Sequence, residues 1–395
     1  MKKFAVHICL VSNQPLPNFL PIFEADFRPK KVILLVTPEM SKNADILQNI
    51  IKNRCQINEI QQISIKDEYN IALVENELVN LLADYKPDEV AVNITGGTKL
   101  MAIAAFNLAQ ESGYQCIYFT QDQSEIILFN PKKQPEILFQ CQSPKLKIED
   151  YLNLHGYKIE QIYEKHLTNK PNFIKHFIDN YDTYSEIVPK LNGAIGKMSD
   201  KDSEKYKELK LNLYDLKNKL NDNKFNTLLS IMQENDLGIA EENNFVFNNY
   251  DCRKFCGGGW FEDYVFDIAK EIKKEYSQQI QDVALNVKFN KGQSPNEIDI
   301  AILCNNVLYA IECKTVNFPY QQKDGKDIVY KLDSLKEIGG LNTKLALVSY
   351  FKTNTEYNNN NTIKQRAKDN NILPCAGKDD IKGLKTHLIK WLGLK

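Results

Sequence analysis

The sequence predicts an α/β protein: a Rossmann-like parallel sheet first, a helical connector, and a second α/β unit built around a β-hairpin. Three observations predict it. Apolar strand-like runs alternate with helical stretches over roughly the first third of the chain. A Gly-Gly turn, Thr95-Gly96-Gly97-Thr98-Lys99, leads from a strand directly into a helix. Two β-prone apolar runs, 298–304 and 307–315, are separated only by Asn305-Asn306.

Residues 4–11, 31–36 and 89–94 are continuous apolar strands, as expected where both faces of a parallel sheet are covered. Residues 40–55, 69–82 and 100–111 have helical spacing, and Gly113 ends the last of them. Strands 114–119 and 125–129 follow. Open parallel sheets bind ligands beyond the carboxyl ends of their strands. Two turns fall there: Ser12-Asn13-Gln14-Pro15 and Thr95-Gly96-Gly97-Thr98-Lys99. In the second, glycines let backbone approach a ligand, the helix start offers free N–H groups, and Lys99 adds charge. This is anion-binding chemistry, most often phosphate; a plain tight strand-to-helix turn is the competing reading. The first strand lacks a G-x-G-x-x-G turn, and Thr-Gly-Gly-Thr-Lys is not a Walker loop, which argues against nicotinamide or nucleoside-triphosphate binding.

Asparagine tolerates positive φ, so Asn305-Asn306 can close a two-residue hairpin. Cys304 then faces Val307 and, counting outward, Asp299 faces Glu312. Cross-strand neighbours have Cβ atoms about 4.5–5.5 Å apart. Lys314, two residues beyond Glu312, points to the same face. Facing carboxylates inside apolar strands repel unless a cation lies between them, and their oxygens suit a hard divalent metal. A metal on Asp299 and Glu312 beside Lys314 is an arrangement for cutting phosphodiesters. The ion stabilises phosphate charge and acidifies a water, while the lysine orients the water or offsets transition-state charge. Upstream, Phe261, Val265, Ile268 and Ile272 mark the buried stripe of a helix, and Glu262 beside it can reach the sheet edge. An isolated Glu-x-Lys is usually an exposed charge pair. The opposed Asp299, the helical Glu262 and the apolar setting weigh against that here.

Asp299, the hairpin and Glu312-Cys313-Lys314, with Glu262 ahead of them, resemble the PD-(D/E)xK, restriction-endonuclease-like superfamily. Ile298 stands where the literal proline would be. Asn93-Ile94-Thr95-Gly96-Gly97-Thr98-Lys99-Leu100-Met101 after a buried strand resembles the ligand motif of CRISPR-associated Rossmann-fold (CARF) domains. The two in this order resemble the CARF-fused ancillary nucleases of type III CRISPR systems. The resemblance covers both ends of the chain. It implies a homodimer that binds cyclic oligoadenylate across two CARF domains and thereby activates a metal-dependent endonuclease. Ser12, Asn13, Thr95, Gly96, Gly97, Thr98 and Lys99 would line the ring, with Met101 as a further contact. Cyclic tetra-adenylate is expected ahead of cyclic hexa-adenylate. Glu262, Asp299, Glu312 and Lys314 would be catalytic, the three acids holding Mn²⁺ or Mg²⁺. DNA, single-stranded or nicked as a duplex, is the expected substrate, with single-stranded RNA second. Two other classes stay open: a CARF regulator that binds DNA without cutting, and a restriction or repair nuclease whose Rossmann-like part only dimerises.

Length and composition fit several folded units: 395 residues are 43% hydrophobic, enough for real cores. The divisions expected are a CARF domain over 1–142, a helical or winged-helix-like connector over 143–245, and a nuclease domain over 246–395. In the connector, 146–155, 173–180 and 209–220 have helical spacing, and 200–210 is a dense run of both charge signs. A net charge of −1 leaves any nucleic-acid contact to local basic patches such as Lys331, on a helix over 328–335, and Lys336 at its end. No apolar run is long enough to span a membrane, and the start shows no signal-peptide cleavage motif. Nine scattered cysteines, several inside apolar strands, read as reduced buried thiols of a cytoplasmic protein. Cys252-x-x-x-Cys256 lacks a second Cys/His pair to complete a zinc site.

Overall fold

The computed structural model describes residues 3–120, 123–130, 133–141, 146–198, 208–292, 294–316, 335–338, 343–353 and 363–395. Its first unit is a doubly wound sheet. The strands β1 (Val6–Leu10), β2 (Lys31–Val36), β3 (Glu59–Ser64), β4 (Val90–Asn93) and β5 (Gln115–Thr120) are parallel. The helices α1 (Leu16–Phe23), α2 (Ser41–Ile50), α3 (Ile71–Leu82) and α4 (Lys99–Ser112) cross between them. β6 (Glu125–Phe129) and β7 (Glu136–Gln140) add an antiparallel edge, so the order is β3-β2-β1-β4-β5-β6-β7. The strand order reverses between β1 and β4, and the two glycine- and serine-bearing turns open on either side of that point. Gly113 ends α4 at φ 80°, a left-handed C-cap. The helical stretch over 40–55 is compound: a 3₁₀ turn (Pro38–Met40), α2, and a π turn (Ile51–Cys55).

The second unit is a six-stranded mixed sheet. β12 (Ile280–Lys291), β13 (Ser294–Cys304) and β14 (Val307–Lys314) form an antiparallel meander. β15 (Lys344–Ser349) and β16 (Ile372–Ala376) extend it in parallel. Helices α10 (Tyr250–Lys254) and α11 (Trp260–Glu275) precede the meander. α12 (Ile363–Asp369), α13 (Lys378–Lys382) and α14 (Leu384–Trp391) flank β16. The hairpin register is the expected one, Cys304 against Val307 through Ile300 against Ile311. Asn305 and Asn306 both have positive φ, 47° and 61°, the geometry of a type I′ turn.

Between the units lie α5 (Ile148–Leu154), β8 (Lys158–Tyr163), α6 (Pro171–Asp179), α7 (Tyr181–Ile195), β9 (Lys210–Asn212), α8 (Tyr214–Lys219), α9 (Asp222–Glu234), β10 (Gly238–Glu241) and β11 (Asn244–Phe247). From α7 to β11 the element order and the sheet order β10-β11-β9 are those of a winged helix. The helical spacing over 209–220 resolves differently: Leu211 and Leu213 are buried between exposed neighbours, the two-residue period of a strand, and only Tyr214–Lys219 is helical. β8 pairs with β12 and forms the sixth strand of the second sheet. Residues 200–207, 328–334 and 358–361, where a charge run, a lysine-bearing helix including Lys331 and a polar loop are expected, lie outside the described residues. Lys336 falls in a 3₁₀ turn (Leu335–Glu337).

Each sheet face has its own core. Ile8, Val92 and Ala104 pack on the outer face of the first sheet. Trp260, Phe261, Ile300 and Ile311 pack on the helical face of the second. A third core is common to both units, with Phe119 and Ile126 joining Tyr151, Leu303 and Leu308. Two buried polar joints accompany it. Asp282 on β12 accepts the N–H of Ile148, capping α5, and pairs with Lys147 and Lys273. Asn306, only 3% exposed, donates from Nδ2 to Ser124 Oγ of the β5–β6 turn at 2.8 Å. Its Oδ1 accepts from Gln281, whose Oε1 accepts the Asn306 N–H.

This joint can be tested by urea unfolding. Asn306→Gly keeps the turn conformation but removes two buried side-chain hydrogen bonds, and should lower stability by about 1–3 kcal/mol. Asn306→Ala adds left-handed strain and should lose about 1 kcal/mol more. Wild-type stability in both variants would refute the joint.

Candidate active site

The described hairpin brings three of the four expected catalytic side chains to one end of the second sheet. Glu312 is 1% exposed, and its Oε1 lies 2.6 Å from Lys314 Nζ. Asp299 Oδ2 accepts the N–H of Cys313 at 2.7 Å, which fastens it to the neighbouring strand next to Glu312. Burial alone would lower the Lys314 ammonium; the charges of Glu312 and Asp299 outweigh it and raise the group.

Glu262 comes from the first turn of α11, half-buried beside a face made of Phe261, Val265, Ile268 and Ile272. Burial, then the charge of Asp299, push its carboxyl up to about 8, while Lys254 and Lys314 pull it back. The helix therefore delivers Glu262 into the field of Asp299. Among the described residues, no three His, Cys, Asp or Glu side chains converge closely enough to hold a metal ion. The donors still suit one in kind: all are carboxylate oxygens, the ligands of Mg²⁺ and Mn²⁺, and their crowding favours a cation.

Three features around this site carry weaker sequence signals. Asn286 lies between Leu285, paired with Ile300, and Val287, paired with Ile298, and so stands opposite Asp299. Its φ of 50° breaks the strand alternation: Leu285 packs into the helical-face core and Val287 into the common core. An asparagine inside an apolar strand was its only sequence mark. The run Gly257-Gly258-Gly259 ahead of α11 is a second feature. A Cβ on Gly258, at φ 133°, would lie 2.8 Å from Thr315 Oγ1, so only glycine lets α11 close over the end of β14. Third, Asn192 of α7 donates to the Thr315 carbonyl at 3.1 Å and hydroxyl at 3.0 Å, one residue past Lys314.

At the first sheet the two expected loops meet across β1 and β4. A Cβ on Gly96 would lie 2.0 Å from the Leu10 carbonyl oxygen, and one on Gly97, at φ 72°, 2.9 Å from Leu10 Cβ. Both glycines thus serve the packing of the loop on β1 itself. Thr95 is consumed internally: its hydroxyl donates to Asn93 and accepts the Phe119 N–H. Thr98 is the N-cap of α4, accepting from Met101 N and donating to the Glu68 carbonyl. Met101 is fully buried in the outer core, so its side chain lies under the loop rather than on its surface. Ser12 closes a local turn through Gln14, while Asn13 and Lys99 are exposed on facing loops.

Residues 6–151 match the family model of the Card1 CARF domain, and residues 249–394 that of the Card1-like endonuclease domain. The chain belongs to the Card1-like CARF–endonuclease family. Can2 from Sulfobacillus thermosulfidooxidans, solved in complex with cyclic tetra-adenylate, is similar to this Card1-like chain at TM-score 0.74 and 25% identity, covering 98% of this chain and 99% of Can2. VC1899 from Vibrio cholerae superposes at TM-score 0.80 and 23% identity over 98% of each chain. A type III CRISPR defence DNA nuclease activated by cyclic oligoadenylate shares the fold at TM-score 0.53 and 15% identity, over 88% of this chain and 45% of its own. No curated protein matches this sequence. Among the described residues, no helix of this Card1-like protein is long and apolar enough to cross a membrane, and all nine cysteines are buried and unbonded.

The Card1-like endonuclease domain is tied to the segment after β8 by His166. Its Nε2 lies 2.6 Å from Asp267 Oδ1 and its Nδ1 3.1 Å from Asp263 Oδ1. Burial would lower the imidazole, but the two carboxylates outweigh it and raise the group to about 9. Asp263 is itself raised, because its burial exceeds the pull of His166, so the favourable energy is carried by the imidazolium. A raised histidine stabilises fully below its unfolded value near 6.5, and this is lost as pH climbs through about 9. The stability gap between wild type and His166→Asn should therefore be at most about 3 kcal/mol at pH 6 and shrink by pH 9.5. Thermal melts across that range check it; a gap that widens with pH would reverse the assignment.

Proposed function

We propose that the protein is a cyclic-oligoadenylate-activated, metal-dependent nuclease of type III CRISPR antiviral defence. Its substrate is DNA, single-stranded or nicked as a duplex, with single-stranded RNA second. The observation that carries this reading is the gathering of Asp299, Glu312 and Lys314 at one end of paired strands, inside a Card1-like endonuclease domain joined to a CARF domain. Those charges are too buried and too close to be an ordinary surface pair. The Can2 complex with cyclic tetra-adenylate supports the four-membered ring as activator.

In this reading Asp299, Glu312 and Glu262 would hold Mn²⁺ or Mg²⁺. When bound, the ion supplies a Lewis acid for the phosphate and lowers the pKa of a water. Lys314, fixed by Glu312, offers its ammonium to the scissile phosphate and offsets charge that builds in the transition state. None of these groups needs a ribose 2′-hydroxyl, so the chemistry itself admits DNA. Cytoplasmic action accords with nine unbonded thiols.

Glu312→Gln and Lys314→Ala should each cut cleavage by several orders of magnitude while leaving ring binding intact. The amide keeps the volume of Glu312, so a folding defect would show separately in a melt. Activity that survives with chelator, or near-normal turnover of Glu312→Gln, would remove the catalytic assignment.

The ring would sit over the β1 and β4 turns, contacting Ser12, Asn13, Lys99 and backbone of Gly96, Gly97 and Thr98. Thr95 and Met101 would support the loop from below. A second copy of the chain completes the ring site. Leu73 and Val79 on α3 and Ile103 on α4 are 45%, 48% and 47% exposed, apolar side chains that such pairing could cover. A symmetric ring bridging two copies binds the activated arrangement more tightly than the resting one, which is the requirement for switching. Lys99→Ala should shift the activation curve to about 5–100-fold higher ring concentration, as expected for losing a charged hydrogen bond, and keep most of the maximal rate. Superimposed curves would exclude Lys99 from the ring site; equal wild-type rates without ring would exclude the sensor.

A further inference from the structure

A second cationic site lies on the same sheet end as the catalytic strands. Lys314 pairs in register with Ser349 of β15, and Ser349 with Ala376 of β16. Just beyond these strand ends opens a pocket of about 240 Å³ lined by Lys352, Thr353, Lys364, Lys378, Asp379 and Asp380. A water needs only about 10–15 Å³ of such space, so the pocket has room for a phosphate group. Two strand spacings, about 10 Å, separate it from Lys314.

The pocket is built rather than incidental. Gly377, at φ 85°, lies against the stem of Lys352: a Cβ there would be 2.7 Å from Lys352 Cγ. The glycine thus makes room for Lys352 to cross the turn between β16 and α13. Thr353, which lines the pocket, is 2% exposed, and among the described residues its hydroxyl has no hydrogen-bond partner. A buried hydroxyl without a partner is rare enough to ask what it waits for. The lining carries three lysines against two aspartates. Asp380 accepts the Ala376 N–H at 2.8 Å and stands 3.7 Å from His387, while Lys378 pairs with Asp182 of α7. Asp379 is exposed in the first turn of α13. Among the described residues, Lys352 and Lys364 have no carboxylate partner. Two cations and a hydroxyl-bearing residue lining one cavity suit a phosphate: both lysines are donors only, and the hydroxyl can donate as well.

We infer that this pocket binds a backbone phosphate of the substrate strand, a few nucleotides from the bond that Lys314 attends. The inference rests on the nuclease reading above. Phosphates follow one another at about 3.4 Å of rise per strand in a duplex, so a gap of this size spans a few nucleotides. The pocket would therefore hold the strand in register for cutting without touching the reacting atoms.

The test uses the full chain with activating ring, Mn²⁺ and a labelled single-stranded DNA. The variants are Lys352→Ala with Lys364→Ala, and separately Thr353→Val, with Lys30→Ala as an exposed control. The double lysine variant should raise KM about tenfold or more and leave kcat within about twofold, as expected for contacts that position the strand. Its slope of log KM on log salt should flatten by about 1.4, or roughly 0.7 for each single-strand phosphate left without its lysine. Thr353→Val should raise KM about threefold without lowering the melting temperature, which a merely structural threonine would not do. Wild-type KM and salt slope in these variants, with an active wild-type enzyme, would overturn the pocket and leave the nuclease reading standing. Wild type that cuts no nucleic acid would overturn both. Inorganic phosphate that competes as well as an oligonucleotide would make this a free-phosphate site and overturn the substrate assignment.

Discussion

The two left-handed asparagines at 305 and 306 are the constraint on which the rest of the second unit depends. A type I′ turn admits one register, and a shift of one residue would turn every side chain of one strand to the opposite face. With the turn in place, Asp299 reaches the backbone beside Glu312, and Lys314 closes on Glu312. Without it, buried acids would lose their partners. The same turn also touches the first unit, through the bond from Asn306 to Ser124, while Gln281 of β12 holds it within its own sheet. One residue, Asn306, thus holds the register at one end of the strands and the contact with the CARF domain as well.

The opposite end of those strands concentrates charge where burial makes it expensive. Glu262, Asp299 and Glu312 lie among apolar side chains with Lys314 and Lys254 as counter-charges. The surrounding chain supports this arrangement with unusual backbone: Asn286 at positive φ opposite Asp299, and the glycine run ahead of Glu262. α7 packs on this region: Ile195 lies against Gly257, and Asn192 grips Thr315. The connector therefore reaches the end of β14 directly, beyond its contacts through β8.

Much of this was legible in the chain because the signals were local. Adjacent asparagines between apolar runs specify a hairpin, and counting from it gives the opposing residues. Continuous apolar strands separated by helical spacing specify the doubly wound sheet. What was not legible depends on distant partners. Nothing in the sequence of 158–163 says that β12 needs an edge strand. The glycines at 96 and 97 read as room for a ligand, but the space they vacate is filled by Leu10 of the neighbouring strand. Met101 shares the motif yet points inward, since a helix buries whichever face the sheet presents. Leu209 to Leu220 misled for a related reason: leucines near helical spacing were in part the alternation of β9.

The strand β8 separates two kinds of boundary. By family match the endonuclease begins near residue 249, but its sheet is finished by a strand from 158–163, and its inner face shares a core with the CARF domain. Cutting at the family boundary would strip β12 of its neighbour and leave a row of backbone groups bare, an invitation to edge-to-edge aggregation. Exchanging the endonuclease domain for another would have to carry the upstream strand with it, so the unit that folds is longer than the family match.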